Sequence, residues 1–248
     1  MLRRYVKLTI QYDGSDYHGW QVQPGCRTVQ DQLNNAVSSL IGDTVTVYGA
    51  SRTDAGVSAL GQAAVIKIHS PIPTENLAKA INDKLPPDIV VTEAVEVPID
   101  FEIIGAAKRK LYRYTICTSD NRPVLEIRHC WHIHQNLDVT AMDAAAKRIV
   151  GEKDFKSFAA AADRRTSTVR TIYRCDVTRD GDWIYVDVEG NAFLYNMVRN
   201  IVGTLVEVAV GRLLPEKLDE IIEAKARTAA GPIAPAAGLC LMWIKYGK

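Results

Sequence analysis

One order of elements runs through this chain twice, and no other feature limits its fold as tightly. Residues 5–12, YVKLTIQY, alternate like a strand. In TVQDQLNNAVSSLIG, residues 28–42, Val29, Leu33, Ala36, Val37, Leu40 and Ile41 fall on one helical face. Thr28 with Asp31 resembles a capping start, and Gly42 a stop. TVTVY (44–48) and AAVIKI (63–68) read as strands, TENLAKAINDKL (74–85) as a helix ended by Pro86 and Pro87, and IVVTEAVEV (89–97) as a strand. The order then repeats. LYRYTICT is a strand and LDVTAMDAAAKRIVG a helix. STVRTIYRCDVTR and DWIYVDVEG are strands around the turn Arg179–Asp182. AFLYNMVRNIVGTLVEVAVG is a long helix, and LCLMWIKY a final strand preceded by an extra helix, PEKLDEIIEAKAR.

Each half therefore reads β-α-β-β-α-β, the ferredoxin-like unit. The expected fold is α+β: two such halves, residues 1–104 and 105–248, meeting near PIDFEIIGAA with no Gly/Ser linker between them. Helices on one face of each antiparallel sheet leave a groove where the two sheets meet. At 248 residues, 47% hydrophobic and 24% charged, the chain has the makings of a real core. No apolar run approaches membrane-spanning length, and the N-terminus enters strand-like alternation without a signal-peptide core. The five scattered cysteines form no knuckle or redox spacing. A cytoplasmic protein with reduced thiols is the simplest expectation.

A net charge of +1 says little about partners, but its distribution says more. KRKLYRY packs Lys108, Arg109, Lys110 and Arg113 around two tyrosines, and DRRTSTVRTIYR sets Arg164, Arg165, Arg170 and Arg174 against Asp163. Cations interleaved with aromatics suit phosphate and base contact. They equally suit a strand edge guarded against pairing. Both readings stand on these clusters alone.

YGASRTDAGVSALGQ, residues 48–62, joins two strands and holds Arg52 and Asp54 two residues apart. A lone loop aspartate is ordinarily a turn residue or helix cap. An arginine two positions away changes that, because it can clamp the carboxylate and keep it ionised. An ionised Asp is a ready nucleophile or base. Tyr112 and Tyr114 alternate onto one face of their strand, as a core pair or as a ring that stacks on a base. Arg199 lies near a helix start, where cations are disfavoured, so its place suits pairing with a carboxylate or phosphate. His132 and His134 in WHIH could ligate a metal, but no third ligand accompanies them. GSDYHGWQVQPG, with Tyr17, His18, Trp20 and two glutamines, fits a loop that could contact RNA.

Taken in order, YDGSDYHGWQVQ, RTDAGVSALGQ, KLYRYTI, FLYNMVRNIVGTLVEV and APAAGLCL resemble the tRNA pseudouridine synthases of the TruA type, over nearly the whole chain. The resemblance implies a pair of ferredoxin-like halves forming one extended, mostly antiparallel sheet with a central cleft. It implies isomerisation of uridine to pseudouridine at positions 38, 39 and 40 of the tRNA anticodon arm, with no metal or other cofactor. It places the catalytic aspartate at Asp54 and substrate contacts at Arg52, Tyr112, Arg199 and Leu239, in one cleft of an RNA-binding homodimer. The chain departs from the family pattern at Ser58, where a histidine is common, and at Glu102 and Ile104, where a histidine and an arginine are expected to meet RNA. Two other classes remain to be weighed: a non-catalytic RNA-binding protein, and a glycosidase-like hydrolase. The latter normally wants two acids across a sugar, and only one acid here has motif context.

Overall fold

A computed structural model describes residues 3–247. The outer ends of the two expected halves, Met1, Leu2 and Lys248, lie outside the described residues. The chain is α+β, with mostly antiparallel strands and, among the described residues, five α-helices. It divides into two compact units. One takes the residues up to Lys108 together with those from Leu241 onward, and the other is Arg109–Cys240.

The first unit contains β1 (Arg4–Tyr12), α1 (Val29–Ile41), β2 (Tyr48–Gly49), β3 (Ser58–Ile68), α2 (Thr74–Asn82) and β4 (Ile89–Val97). Strand β1 lies between β3 and β4, antiparallel to both, with Leu8 opposite Ala64 and Ala94. Its alternation is realised: Val6, Leu8 and Ile10 are fully buried with Leu33 and Val37 of α1 and Leu77 and Ile81 of α2. Ala50, Ala63, Val65 and Ile103 form a smaller cluster, packed by Tyr5, Phe101, Ile244 and Tyr246. The last strand was expected to belong wholly to the second half. Instead, its stretch from Leu241 counts with the first unit. There the hydroxyl of Tyr246 donates to the carbonyl of Ile103 at 2.9 Å.

Two expectations fail here for identifiable reasons. TVTVY reads as a strand, yet only Tyr48 of it is one. Three side chains one helical turn apart on α1 take the backbone groups that a neighbouring strand would otherwise bind. Gln30 Nε2 donates to the carbonyl of Val47 at 2.8 Å, Asn34 Oδ1 accepts from its N–H at 2.8 Å, and Ser38 Oγ accepts from Val45 N–H at 2.9 Å. Thr28 holds the N-cap position of α1 but its side chain makes no capping bond. The orphan N–H groups of Val29 and Gln30 instead reach the carbonyls of Gly19 and Trp20, at 3.2 and 3.0 Å. Gly42 ends the helix as expected, in the left-handed conformation at φ 76°.

The second unit holds β5 (Ala107–Cys117), β6 (Trp131–His132), α3 (Val139–Arg148), β7 (Gly151–Asp154), β8 (Val169–Asp180), β9 (Trp183–Gly190), α4 (Met197–Ala209) and α5 (Lys217–Ala224); β10 (Leu239–Tyr246) begins here. Strands β5, β9, β8 and β7 follow one another antiparallel, and β6 pairs parallel with β5. Ile184, Val186 and Val188 of β9 are fully buried, as are Met142 and Ala146 of α3 and Ile201 and Leu205 of α4. Asp138 caps α3 by accepting from Ala141 N–H at 2.9 Å. GEKD, the short strand β7, carries no alternation and was not anticipated. Helix α4 starts five residues later than its apolar run suggests. Asn196 sits in the left-handed region at φ 60°, and Asn191 Oδ1 accepts from Ala192 N–H at 2.7 Å, folding residues 191–196 into a turn.

Candidate active site

In the first unit, the segment around Asp54 is held from both ends. Ala50 N–H donates to the carbonyl of Ala63 at 2.8 Å, and Val57 N–H to that of Asp54 at 3.1 Å, closing a turn with Gly56 at φ 78°. The helix-cap reading of Asp54 therefore gives way to a turn, since Ser58 onward is strand β3. Fully buried Gln62 braces the base of the loop, donating to Ser51 O at 2.6 Å and to the Tyr12 hydroxyl at 3.3 Å. Tyr12 in turn bonds Thr53 Oγ1 at 2.8 Å, so the residue next to Asp54 is tied into the core.

Residues 14–20 do the rest. The stretch read as a loop that could contact RNA is fixed as a clamp on residues 53–58. Trp20 N–H donates to Thr53 O at 3.0 Å, Gly56 N–H to Tyr17 O at 3.2 Å, and Gly14 N–H to Ser58 Oγ at 3.0 Å. Tyr17 and Trp20 are buried, and the Tyr17 hydroxyl donates to Asp88 at 2.6 Å. Burial first, then that bond, push the Tyr17 hydroxyl well above its usual pKa, so it stays a neutral donor. The approach is too close for any side chain. A Cβ on Gly14 would fall 2.0 Å from Val57 O, and one on Gly19, itself at φ 86°, 2.7 Å from Thr53 O. Ser58, one of the departures from the family pattern, thus has a structural use as the acceptor for Gly14.

Asp54 is half-buried and Arg52 exposed. Among the described residues no ion pair joins Arg52 to Asp54, so the expected intraloop clamp on the carboxylate is not formed.

In the second unit, Arg199 stands in the first turn of α4 with its Nε donating to Ala234 O at 2.8 Å, while Ala234 N–H donates to Arg199 O at 3.1 Å. Tyr114 donates from its hydroxyl to Pro235 O at 2.8 Å, and its ring packs where a Cβ on Gly238 would come within 2.6 Å. Burial raises the Tyr114 pKa, and the Arg199 charge opposes that rise. Buried Leu239 follows Gly238 directly. Arg199, Tyr114 and residues 234–239 are therefore one packed assembly. Tyr112, also buried, lies opposite Val188 and meets Phe193 edge-on, ring centres 5.1 Å apart at 84°. Tyr114, Gly238 and Gln62 lie within the quoted motifs, but nothing in those motifs shows what they support. Their role depends on residues far away in the chain.

The start of α4 rests on Asn200, whose amide donates to Phe158 O at 2.7 Å and accepts from Arg227 at 3.0 Å. We expect Asn200→Ala to cost about 1–3 kcal/mol, because it strands the buried Phe158 carbonyl and takes an acceptor from half-buried Arg227. Chemical denaturation of the two proteins measures this directly.

The basic clusters separate into two kinds. Arg113 makes a bidentate pair with Asp187 at 2.7 and 2.8 Å, Arg109 pairs with Glu189 at 3.0 Å, and Arg174 with Asp176 at 2.9 Å. The first two pairs join neighbouring strands β5 and β9 and the third lies within β8, and this charge balance favours the structural reading for those three. Arg165 likewise pairs with Asp163, at 2.5 Å. Glu102 and Ile104 are both exposed. His132 and His134 stack with ring centres 4.3 Å apart, and His132 Nε2 lies 2.8 Å from Ser119 O.

An α+β scaffold that immobilises one aspartate-bearing loop, and carries a buried tyrosine and an arginine on its second unit, defines an enzyme of base chemistry on nucleosides only when joined to its relatives. The model of a family described as tRNA pseudouridine synthase matches residues 8–104 and 145–247. The chain belongs to that family and is an isomerase. It is 42% identical over 243 residues to "tRNA pseudouridine synthase A" of Thermoanaerobacter sp. (strain X514), covering 98% of this chain and 100% of that one. It is 46% identical to the protein of the same name from Moorella thermoacetica, covering 97% and 99%. For the Ruminiclostridium cellulolyticum protein of that name the identity is 44%, covering 98% and 100%. No helix among the described residues is long and apolar enough to cross a membrane.

Proposed function

We propose that this enzyme converts uridine to pseudouridine at positions 38–40 of the tRNA anticodon stem-loop, in the cytoplasm and as a homodimer, with Asp54 as the catalytic carboxylate. The observation that carries the reading is the fixation of Asp54. In a family whose motif is RTDAG, the chain builds a buried Gln62–Tyr12–Thr53 brace and a glycine-backed clamp around that one residue. The strand order β4-β1-β3 with β2 on β3 in the first unit, and β5-β9-β8 in the second, supports two ferredoxin-like halves. The family model meets the chain in two stretches, one in each half.

In this reading the target uridine leaves its stack, at a cost of a few kcal/mol. Stacking on the ring of Tyr112 returns about 1–3 kcal/mol. Phe193, edge-on to Tyr112, keeps the ring from following the base. Arg52, exposed beside the loop, contacts the phosphate or fills the vacated stack. Asp54 drives cleavage of the N1–C1′ bond. The detached uracil turns, C5 bonds to C1′, the C5 proton leaves, and N1 ends protonated. Atoms and electrons balance without a redox step, so the chemistry asks for no cofactor. Arg199 orients the carboxylate and Leu239 excludes water from the freed sugar and base.

Pseudouridine mapping in bulk tRNA, treated with the protein and with its Asp54 variant, tests the reading. Modification at sites other than 38–40, or none, counts against it. For Tyr112→Phe we expect tRNA affinity to hold, because the ring remains. Turnover should fall about 10²-fold, because the hydroxyl that helps remove the C5 proton is gone. Single-turnover rates decide this, and equal rates take the hydroxyl out of the chemistry.

A further inference from the structure

Asp88 is remote from the RTDAG motif in the chain, yet two other stretches of the first unit converge on it. It stands directly before β4. The hydroxyl of buried Tyr17 donates to its Oδ1 at 2.6 Å. Arg27 Nη2 reaches Oδ2 at 2.9 Å and Oδ1 at 3.2 Å. The carbonyl of Asp88 accepts from Asp13 N–H at 3.0 Å. The Arg27 guanidinium also lies over the Tyr17 ring, 4.2 Å from its centre. The carbonyl of Arg27 accepts from His18 N–H at 2.9 Å. Tyr17 is thus gripped at its hydroxyl, at its ring face and through the amide that follows it.

The backbone of Tyr17 passes that grip on. Its carbonyl accepts from Gly56 N–H at 3.2 Å, two residues after Asp54. Gly56 is at φ 78°, and the N–H of Val57 closes the turn on Asp54 O at 3.1 Å. Asp88, Tyr17 and Gly56 therefore make one line from the start of β4 to the turn that carries Asp54. The two bonds at Asp88 differ in weight. The pair with Arg27 leaves 40% and 25% of the two side chains exposed, and a pair so placed stabilises little. The Tyr17 hydroxyl is buried, and its bond to a carboxylate is of the stronger, charge-assisted kind. Without Asp88 that hydroxyl loses its acceptor, which is costly in a buried place. The carboxylate thus acts on the one residue whose carbonyl meets Gly56.

We infer that Asp88 is a positioning residue for the isomerase reaction. Acting through Tyr17, it sets the height of the turn at Gly56 and with it the place of Asp54. The inference rests on the role proposed above for Asp54.

The test is steady-state pseudouridine formation on an unmodified tRNA transcript, well below the thermal midpoint of every protein compared. Wild type is set beside Asp88→Ala, Asp88→Asn, Tyr17→Phe and the double variant Tyr17→Phe/Asp88→Ala. Asp88→Ala should lower kcat about 10- to 10²-fold, as a displaced reacting group does, and leave KM within about twofold. Asp88→Asn keeps a carbonyl oxygen for the Tyr17 hydroxyl and should recover most of the loss. The double variant should be no slower than Asp88→Ala, because both substitutions cut the same line. A merely structural Asp88 would lower the thermal midpoint and leave kcat of the folded enzyme at the wild-type value, which overturns the inference. A raised KM with kcat kept overturns it too, by making Asp88 a binding residue. Losses that multiply in the double variant refute the route through Tyr17. Should Asp88→Ala fail to fold, Tyr17→Phe carries the comparison of kcat with KM, and a wild-type kcat there refutes the inference. Asp54→Asn is assayed in parallel. Product at the wild-type rate from the Asp88 variants refutes the positioning role alone. No product from the wild-type protein on any tRNA, or wild-type turnover by Asp54→Asn, refutes the functional reading and the inference with it.

Discussion

Asp54→Asn is expected to lower pseudouridine formation by at least about 10³-fold while leaving tRNA affinity within a few-fold of wild type. The substitution is nearly isosteric. The loop is held by its backbone and by Thr53, so the amide occupies the carboxylate's place without disturbing Ala50–Ala63 or Val57–Asp54. What is lost is the negative charge and the lone pair that attack carbon or accept a proton. Uridine-to-pseudouridine conversion on bulk tRNA, measured beside equilibrium binding, reads both effects. Wild-type turnover by the Asn protein would remove Asp54 from the chemistry. Loss of binding in step with turnover would make the residue a ligand for RNA and not a catalyst.

Gly14→Ala should be nearly as damaging, although residue 14 touches no reacting atom. Its added methyl group would lie 2.0 Å from the Val57 carbonyl oxygen, a contact that only backbone displacement relieves. Overpacking of this kind costs about 1–3 kcal/mol. The segment that must yield is the one that carries Asp54, through Gly14–Ser58, Tyr17–Gly56 and Trp20–Thr53. A displacement of about 1 Å at a reacting group costs on the order of 10² in rate. We therefore expect far-UV circular dichroism to be kept, thermal stability to fall moderately, and turnover to fall about 10²-fold. A Gly14→Ala enzyme of normal rate would show that the clamp does not set the aspartate's position.

Much of this was legible in the chain. The helices announced themselves by their 3.6-residue period, and β1, β4 and β9 by alternation, because in each case one face meets the core. Asp54 stood out by its motif. What periodicity did not reveal is what depends on partners distant along the chain. TVTVY has every local mark of a strand, but Gln30, Asn34 and Ser38 satisfy its backbone first. The stretch around Tyr17 and Trp20 is polar and glycine-rich like a free loop, and only its contacts with residues 53–58 reveal a clamp. Arg52 next to Asp54 suggested an ion pair that the turn geometry does not form. Lys110 hid among three other cations, and its burial follows from facing Gly190, which no local pattern encodes.

The ladder of Gln30, Asn34 and Ser38 has a consequence beyond the fold. Valine–threonine repeats such as TVTVY are the sort of sequence that seeds amyloid, because their unmet amides recruit a matching copy from a neighbouring molecule. Here those amides are already engaged by amide and hydroxyl side chains of the same chain. The segment can keep its valines in the core without offering other molecules a template.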